Sequence, residues 1–337
     1  MNEVFLNQLL SCISVSGCEE MVQQAVEEEM KEYADEIRSD EMENRICVLN
    51  PKSQEKILLC AHADEIGLLI TNVKADGTLQ FTSRGGIVVG SYPGQQVKIK
   101  TEKGIIYGVV EAYRKIYENK ELKTKDLVID IGAKDKEDAL TMVKPGDPVV
   151  LDTQIRKMAN GKFTARALDD RIGVFIIMEA LKRAKEKGCR AGVYAASTVA
   201  EETLSSGAYW VSSRVKPTLA VVVDVTFATD CMGENTADTG EVVLGGGPVL
   251  CNAPGIQKLL NKKMEQSAAK AGIKVQIEAA RGETWTDGDR IHLSNDGVPI
   301  VLVSIPLRYM HMPCEVADEK DVEDCIELIA QFLTDYC

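Results

Sequence analysis

The sequence predicts an α/β protein: a three-layer α/β/α domain with a mixed sheet, interrupted by a small β-barrel-like insert. Two observations carry this. Short, continuous apolar runs alternate with amphipathic helical stretches in residues 1–69 and again in 156–337, as in sheets covered by helices on both faces. Between them, residues 70–155 change texture to strand-like segments broken by glycines, including Gly77, Gly85, Gly86, Gly90, Gly94, Gly104, Gly108, Gly132 and Gly146. A chain of 337 residues also exceeds one ordinary core, so a large domain with a smaller inserted one fits its length.

The elements follow in order. Residues 3 to 13 carry a helical apolar pattern, broken at Ser16-Gly17-Cys18, and a charged amphipathic helix runs on to about Tyr33. Ile46-Cys47-Val48-Leu49 reads as a strand. Lys56-Ile57-Leu58-Leu59-Cys60-Ala61 reads as a strand buried on both faces. In the insert, Val97-Lys98-Ile99-Lys100 alternates apolar and polar, and Lys136 to Met142 is the one short helix. Asp169 to Lys187 is an amphipathic helix closed by Gly188. Strands are expected at Val193 to Val199, Leu219 to Val223 and Ile300 to Ile305. Helices are expected at 255 to 271 and Val322 to Leu333.

Composition narrows the function. The net charge is −13 and aromatics make up 5%, so the surface repels phosphate backbones and offers little for stacking bases; nucleic acid is not an expected partner. The ten cysteines are scattered with no CxxC pair, which fits free thiols in a reducing compartment rather than a thiolate metal site. The N-terminus lacks the signature of a signal peptide, and no apolar run approaches the roughly 18 residues of a membrane span. A cytoplasmic protein without membrane partners is expected.

Five short segments put metal-type ligands just past predicted strands or at a helix start, where open α/β sheets bind their ligands. His62, in Ala61-His62-Ala63-Asp64, follows the first buried strand, and Asp64 is placed to orient the imidazole. Asp169, in Leu168-Asp169-Asp170-Arg171, can bridge two cations; a helix cap is the plainer reading of that doublet, with Asp170 and Arg171 paired locally. The Glu201-Glu202 pair needs a bend to face one cleft. Given it, Glu202 serves as ligand and Glu201 as general base on a metal-bound water, against the alternative of an exposed acidic turn. Asp224 ends an apolar run, a costly place for an unpaired carboxylate. His311 lies past the 300 to 305 strand, and with His62 makes two of the three histidines; the third, His292, reads as structural. Three carboxylates and one hydroxide balance two divalent cations. The N and O donors suit Zn²⁺ or Co²⁺ and admit Mn²⁺.

In this order the segments resemble the tetrahedral (TET) aminopeptidases, a family of co-catalytic dinuclear metallopeptidases that includes glutamyl aminopeptidase and endoglucanase-labelled relatives. The likeness spans nearly the whole chain. Besides the ligand segments it includes Ser304-Ile305-Pro306-Leu307-Arg308-Tyr309-Met310-His311, and in the insert Asp130-Ile131-Gly132-Ala133 and Val143-Lys144-Pro145-Gly146-Asp147. The resemblance implies that His62 and Asp224 hold one metal and Glu202 and His311 the other, with Asp169 bridging. It implies Asp64 as orienter, Glu201 as base, and peptides as substrates. It also implies a cytosolic, dimer-based tetrahedral dodecamer whose contacts run through the insert. The chain departs from the family pattern at Thr203-Leu204, at Glu43 before Asn44, and across Gly282-Glu283-Thr284-Trp285-Thr286-Asp287. Gly245-Gly246-Gly247-Pro248 reads as a substrate-pocket wall or simply as a tight turn.

Three other readings compete. A metallohydrolase deacylating N-acyl amino acids would share the ligand chemistry, but its extra domain falls later in the chain, between the Glu pair and the last His. A glycoside hydrolase would use two carboxylates, yet leaves two histidines unexplained. A non-enzymatic scaffold would not need Glu201.

Overall fold

A computed structural model describes residues 1–336; Cys337 lies outside the described residues. The chain opens with helices α1 (Glu3–Ser11) and α2 (Glu20–Met30), then strands β1 (Glu36–Ser39), β2 (Arg45–Leu49) and β3 (Lys56–His62). A barrel follows: β4 (Gly67–Val73), β5 (Leu79–Arg84), β6 (Gln96–Thr101), β7 (Gly104–Val110), β8 (Ile129–Asp130), helix α3 (Lys136–Met142) and β9 (Pro148–Leu151). The α/β part then resumes with β10 (Arg156–Lys157), β11 (Lys162–Ala165), α4 (Leu168–Glu186), β12 (Gly192–Thr198), α5 (Ser206–Val215) and β13 (Leu219–Phe227). It closes with α6 (Thr236–Thr239), β14 (Val249–Asn252), α7 (Lys258–Ala271), β15 (Gln276–Ala279), α8 (Asp287–His292), β16 (Ile300–Leu307), β17 (Glu315–Asp318) and α9 (Glu319–Tyr336).

The main sheet has eight strands in the order β1-β2-β12-β3-β13-β16-β14-β15. Its centre, β12-β3-β13-β16, is parallel, while β2 and β14 join it antiparallel. The continuous apolar runs have a direct cause. Ile57, Leu59, Val221, Val223, Val301 and Val303 face one core, shared with α1, α2, α4, α7 and α9. The alternate residues Leu58, Cys60, Ala220, Val222, Ile300 and Leu302 face another, shared with Ala208, Val211 and Ile291 of α5 and α8. Both pleat faces are therefore buried, and the three-layer expectation holds.

The insert is a closed six-stranded barrel, β4-β5-β8-β7-β6-β9, with its own core around Leu68, Ile70, Val97, Ile99, Ile129 and Val149. Its first strand begins at Gly67, inside the stretch assigned above to the α/β part, because only four residues separate β3 from β4. A small three-stranded sheet has the order β10-β11-β17. Among the described residues, no helix is long and apolar enough to cross a membrane.

Because β12, β3, β13 and β16 run parallel, their carboxyl ends open on one rim of the sheet. On it, Val222 pairs with Cys60. Extending that register two residues brings Asp224 level with His62, both on the α5/α8 face.

Candidate active site

Side chains from five segments meet at this rim. The Asp169 carboxylate is central: Oδ1 lies 3.1 Å from His62 Nε2, and Oδ2 lies 3.3 Å from His311 Nε2. Glu202 Oε1 is 3.5 Å from His311 Nε2, and Asp224 Oδ1 is 4.0 Å from His62 Nε2. Glu201 Oε2 stands 3.9 Å from His62 Nε2. All seven residues singled out from the sequence, Asp64 included, thus come together. Donor atoms of His62, Asp169 and Glu202 lie within 4.8 Å of one another, as do those of His62, Asp170 and Asp224.

Both imidazoles are held the same way. His62 Nδ1 is 3.1 Å from the Asp64 carbonyl oxygen, and His311 Nδ1 is 3.0 Å from that of Gly86. A carbonyl only accepts, so each Nδ1 donates and each Nε2 is aimed at Asp169. This is the orientation a metal-binding histidine requires. The Gly86 contact is a barrel contribution that the sequence reading treated as punctuation. A Cβ on Gly86 would come within 3.1 Å of His311 Nδ1. Asp64 acts in a second way as well: its carboxylate, 3.4 Å from His62 Nδ1, accepts the N–H groups of Glu201 and Glu202 at 3.0 and 3.1 Å.

The bend expected at the Glu pair is built by long-range side-chain acceptors. Asn44 Oδ1 takes the N–H of Val199, Glu19 Oε1 that of Ala200, and Asp64 the next two. Ala200 itself sits at φ 58°, a left-handed conformation disfavoured for alanine. Gly207 packs beneath: a Cβ there would lie 2.4 Å from Val199 O and 2.6 Å from Asn44 Oδ1. Gly207→Ala is therefore expected to cost about 1–3 kcal/mol through overpacking. Urea unfolding would measure it, and an unchanged midpoint would contradict the packing.

The Asp169-Asp170 doublet divides its work. Asp170 Oδ1 accepts the N–H of Gly173 at 3.1 Å and so caps α4, leaving Asp169 to the cluster. The peptide between the two is cis. The local Asp170–Arg171 pair suggested above does not form. Arg171 is fully buried and pairs with Glu65, which also takes Arg166; that buried acid between two guanidiniums outcompetes a sequence neighbour already used as a cap. Sequence reasoning also missed Glu315. It is 3% exposed and accepts the N–H groups of Leu168, Asp169 and His311, tying two ligand segments together.

The electrostatics show what the cluster lacks. Burial pushes Asp224 well above the usual carboxylate range, and neighbouring Asp169 and Asp287 add to the rise. Burial takes Glu201 up to about 10; His62 opposes this, while Asp224, Asp287 and Glu202 reinforce it. His311 rises to about 11: burial resists protonation, but its bonds to Asp169 and Glu202 outweigh it. So many buried acids around two imidazoles demand positive charge. N and O donors, pre-aimed imidazoles and a doubly facing carboxylate all fit divalent cations.

The family match and the likeness to solved structures place the chain among the aminopeptidases, hydrolases of peptide bonds. More narrowly, it belongs to the M42 glutamyl aminopeptidase family, whose model matches residues 25–328. The lysyl aminopeptidase of Pyrococcus furiosus is 30% identical over 97% of this chain and 95% of its own. The TET aminopeptidase of a marine-sediment Thaumarchaeota archaeon shares 30% identity and superposes with a TM-score of 0.92, covering 98% of this chain and 95% of that one. Pyrococcus horikoshii TET1 peptidase, which can assemble into a tetrahedron or a large octahedral shell, is 32% identical with a TM-score of 0.88 over 99% of both chains. The family expected from the motifs is borne out.

Proposed function

We propose that the protein is a cytoplasmic aminopeptidase dependent on two divalent metal ions, which removes N-terminal residues from peptides with Glu201 as general base. The observation that carries this reading is the Asp169 carboxylate, whose two oxygens face the Nε2 atoms of two separately oriented histidines. His62 and Asp224 would hold one ion, Glu202 and His311 the other, with Asp169 shared; Zn²⁺ or Co²⁺ suits these donors best and Mn²⁺ is admissible. Bound there, the ions would polarise the scissile carbonyl and acidify a water.

The chain's own residues supply the rest. Glu201, held by its backbone bond to Asp64, takes a proton from the attacking water and returns it to the leaving amine. Glu315 and Gly86 fix Asp169 and His311; Asp64 fixes His62 and the Glu pair. Self-association through the barrel, as a dimer-based dodecamer, is supported by an exposed apolar stripe at Ile105, Tyr107 and Val109 of β7 with Tyr113 and Tyr117 beyond it. A monomer in light scattering would remove that part of the proposal.

Metal removal tests the core. Chelation should abolish hydrolysis of aminoacyl anilides, and Zn²⁺, Co²⁺ or Mn²⁺ should restore it with close to two ions bound per chain. Protein that binds no ion after reconstitution would refute the reading.

A further inference from the structure

Beyond the ligands, the rim opens into a cavity of about 370 Å³ walled largely by Val225, Phe227, Cys251, Ala280, Leu302 and Met310. Glu278 of β15 is a buried carboxylate lining it that has no task in the chemistry above. It is 6% exposed. Two hydroxyls place it, Thr226 Oγ1 donating to Oε2 at 2.5 Å and Ser304 Oγ to Oε1 at 3.4 Å. A carboxylate has about four acceptor positions, so these bonds leave capacity unused. Burial holds the carboxyl above its ordinary range, against its hydrogen bonds from Thr226, Cys251 and Ser304. Glu283 also lines the cavity, and no lysine or arginine does among the described residues.

Its position relative to the ligands is set by the sheet. Thr226 and Asp224 lie on one face of β13 two residues apart, about 7 Å along the strand. Ser304 is the register partner of Asp224. Glu278 is thus tethered roughly one strand repeat from an expected ligand. That is comparable to the reach of lysine's four-carbon stem, measured from a residue whose amine and carbonyl sit at the ligand cluster. The apolar walls suit the stem and the carboxylate suits the head.

We infer that Glu278 makes this cavity selective for peptides whose N-terminal side chain is cationic, lysine or arginine, by pairing with that charge. The inference rests on the aminopeptidase reading above. A neutral side chain seated there leaves a buried carboxylate without a counter-charge, and an acidic one adds repulsion; both are disfavoured against a cation.

Aminoacyl anilides of lysine, arginine, leucine and glutamate test it on the metal-loaded enzyme. Wild type should show kcat/KM for the lysyl substrate at least about tenfold above the leucyl one, the scale of a charged hydrogen bond. Glu278→Gln should lower the lysyl-to-leucyl ratio by at least about tenfold, a ratio that does not depend on how much of the variant is folded. Wild type preferring leucyl or glutamyl anilide, or an unmoved ratio in the variant, overturns the inference and leaves the aminopeptidase reading standing. If no anilide is cleaved, that reading fails instead, and calorimetry on wild type still decides the pocket. L-Lysine should bind more tightly than L-norleucine, which has the same stem without the charge; equal affinities overturn the assignment.

Discussion

Glu201→Gln is expected to keep its metal ions and lose turnover by about 10²–10⁴-fold, the usual contribution of a positioned general base. The amide matches the carboxylate in size, and the N–H of residue 201 keeps its bond to Asp64, so the turn should survive. Glu201 is not among the five expected ligands. Its Oε2 approaches His62 Nε2 only at 3.9 Å, whereas Asp169 reaches the same atom at 3.1 Å. Metal analysis and kcat on the same preparation separate the two roles. A variant with full kcat would show that the base is another group, and one that loses an ion would make Glu201 a ligand.

How much of this was readable in sequence depended on whether the signal was local. Asp224 was legible because three valines precede it, and a carboxylate ending such a run needs a reason. His62 was legible for the same kind of reason, at the end of β3. The fold was legible because two-sided burial leaves an unbroken apolar run, while the barrel leaves alternation and glycines. The supporting acceptors left no comparable trace. Glu19, Asn44 and Glu315 act on backbone N–H groups up to 181 residues away, and nothing adjacent to them marks that use. Gly86 serves through its carbonyl, an atom every residue carries. Which aspartate of the 169–170 doublet caps the helix was undecidable from the pair alone, since either suits the position. The Asp170 bond to Gly173 resolves it. Glu278 escaped notice because one acid on a short strand in an acidic chain reads as a solvated face; only its burial beside Thr226 and Ser304 distinguishes it.

Asp169→Asn should remove more metal than loss of any other single ligand. Asp224 approaches His62 and Glu202 approaches His311, but Asp169 offers Oδ1 to His62 and Oδ2 to His311. Asparagine replaces one oxygen with an NH₂ that cannot ligate, and it removes a charge counted against both ions. Loss of a mere outer-shell partner costs roughly 10–100-fold in metal affinity, so a shared ligand should cost at least that at both positions. Glu202→Gln is the control, because Glu202 approaches His311 Nε2 at 3.5 Å and is proposed as a ligand of that ion alone, so the other ion should stay tightly held. Calorimetric titration of Zn²⁺ into each metal-free variant reads the difference without recourse to activity, and circular dichroism checks the fold. Asp169→Asn binding two ions with wild-type affinity would mean that the carboxylate bridges nothing. Its contacts to the imidazoles would then belong to a hydrogen-bonded network of buried acids and histidines, and the dinuclear reading would lose the observation on which it stands.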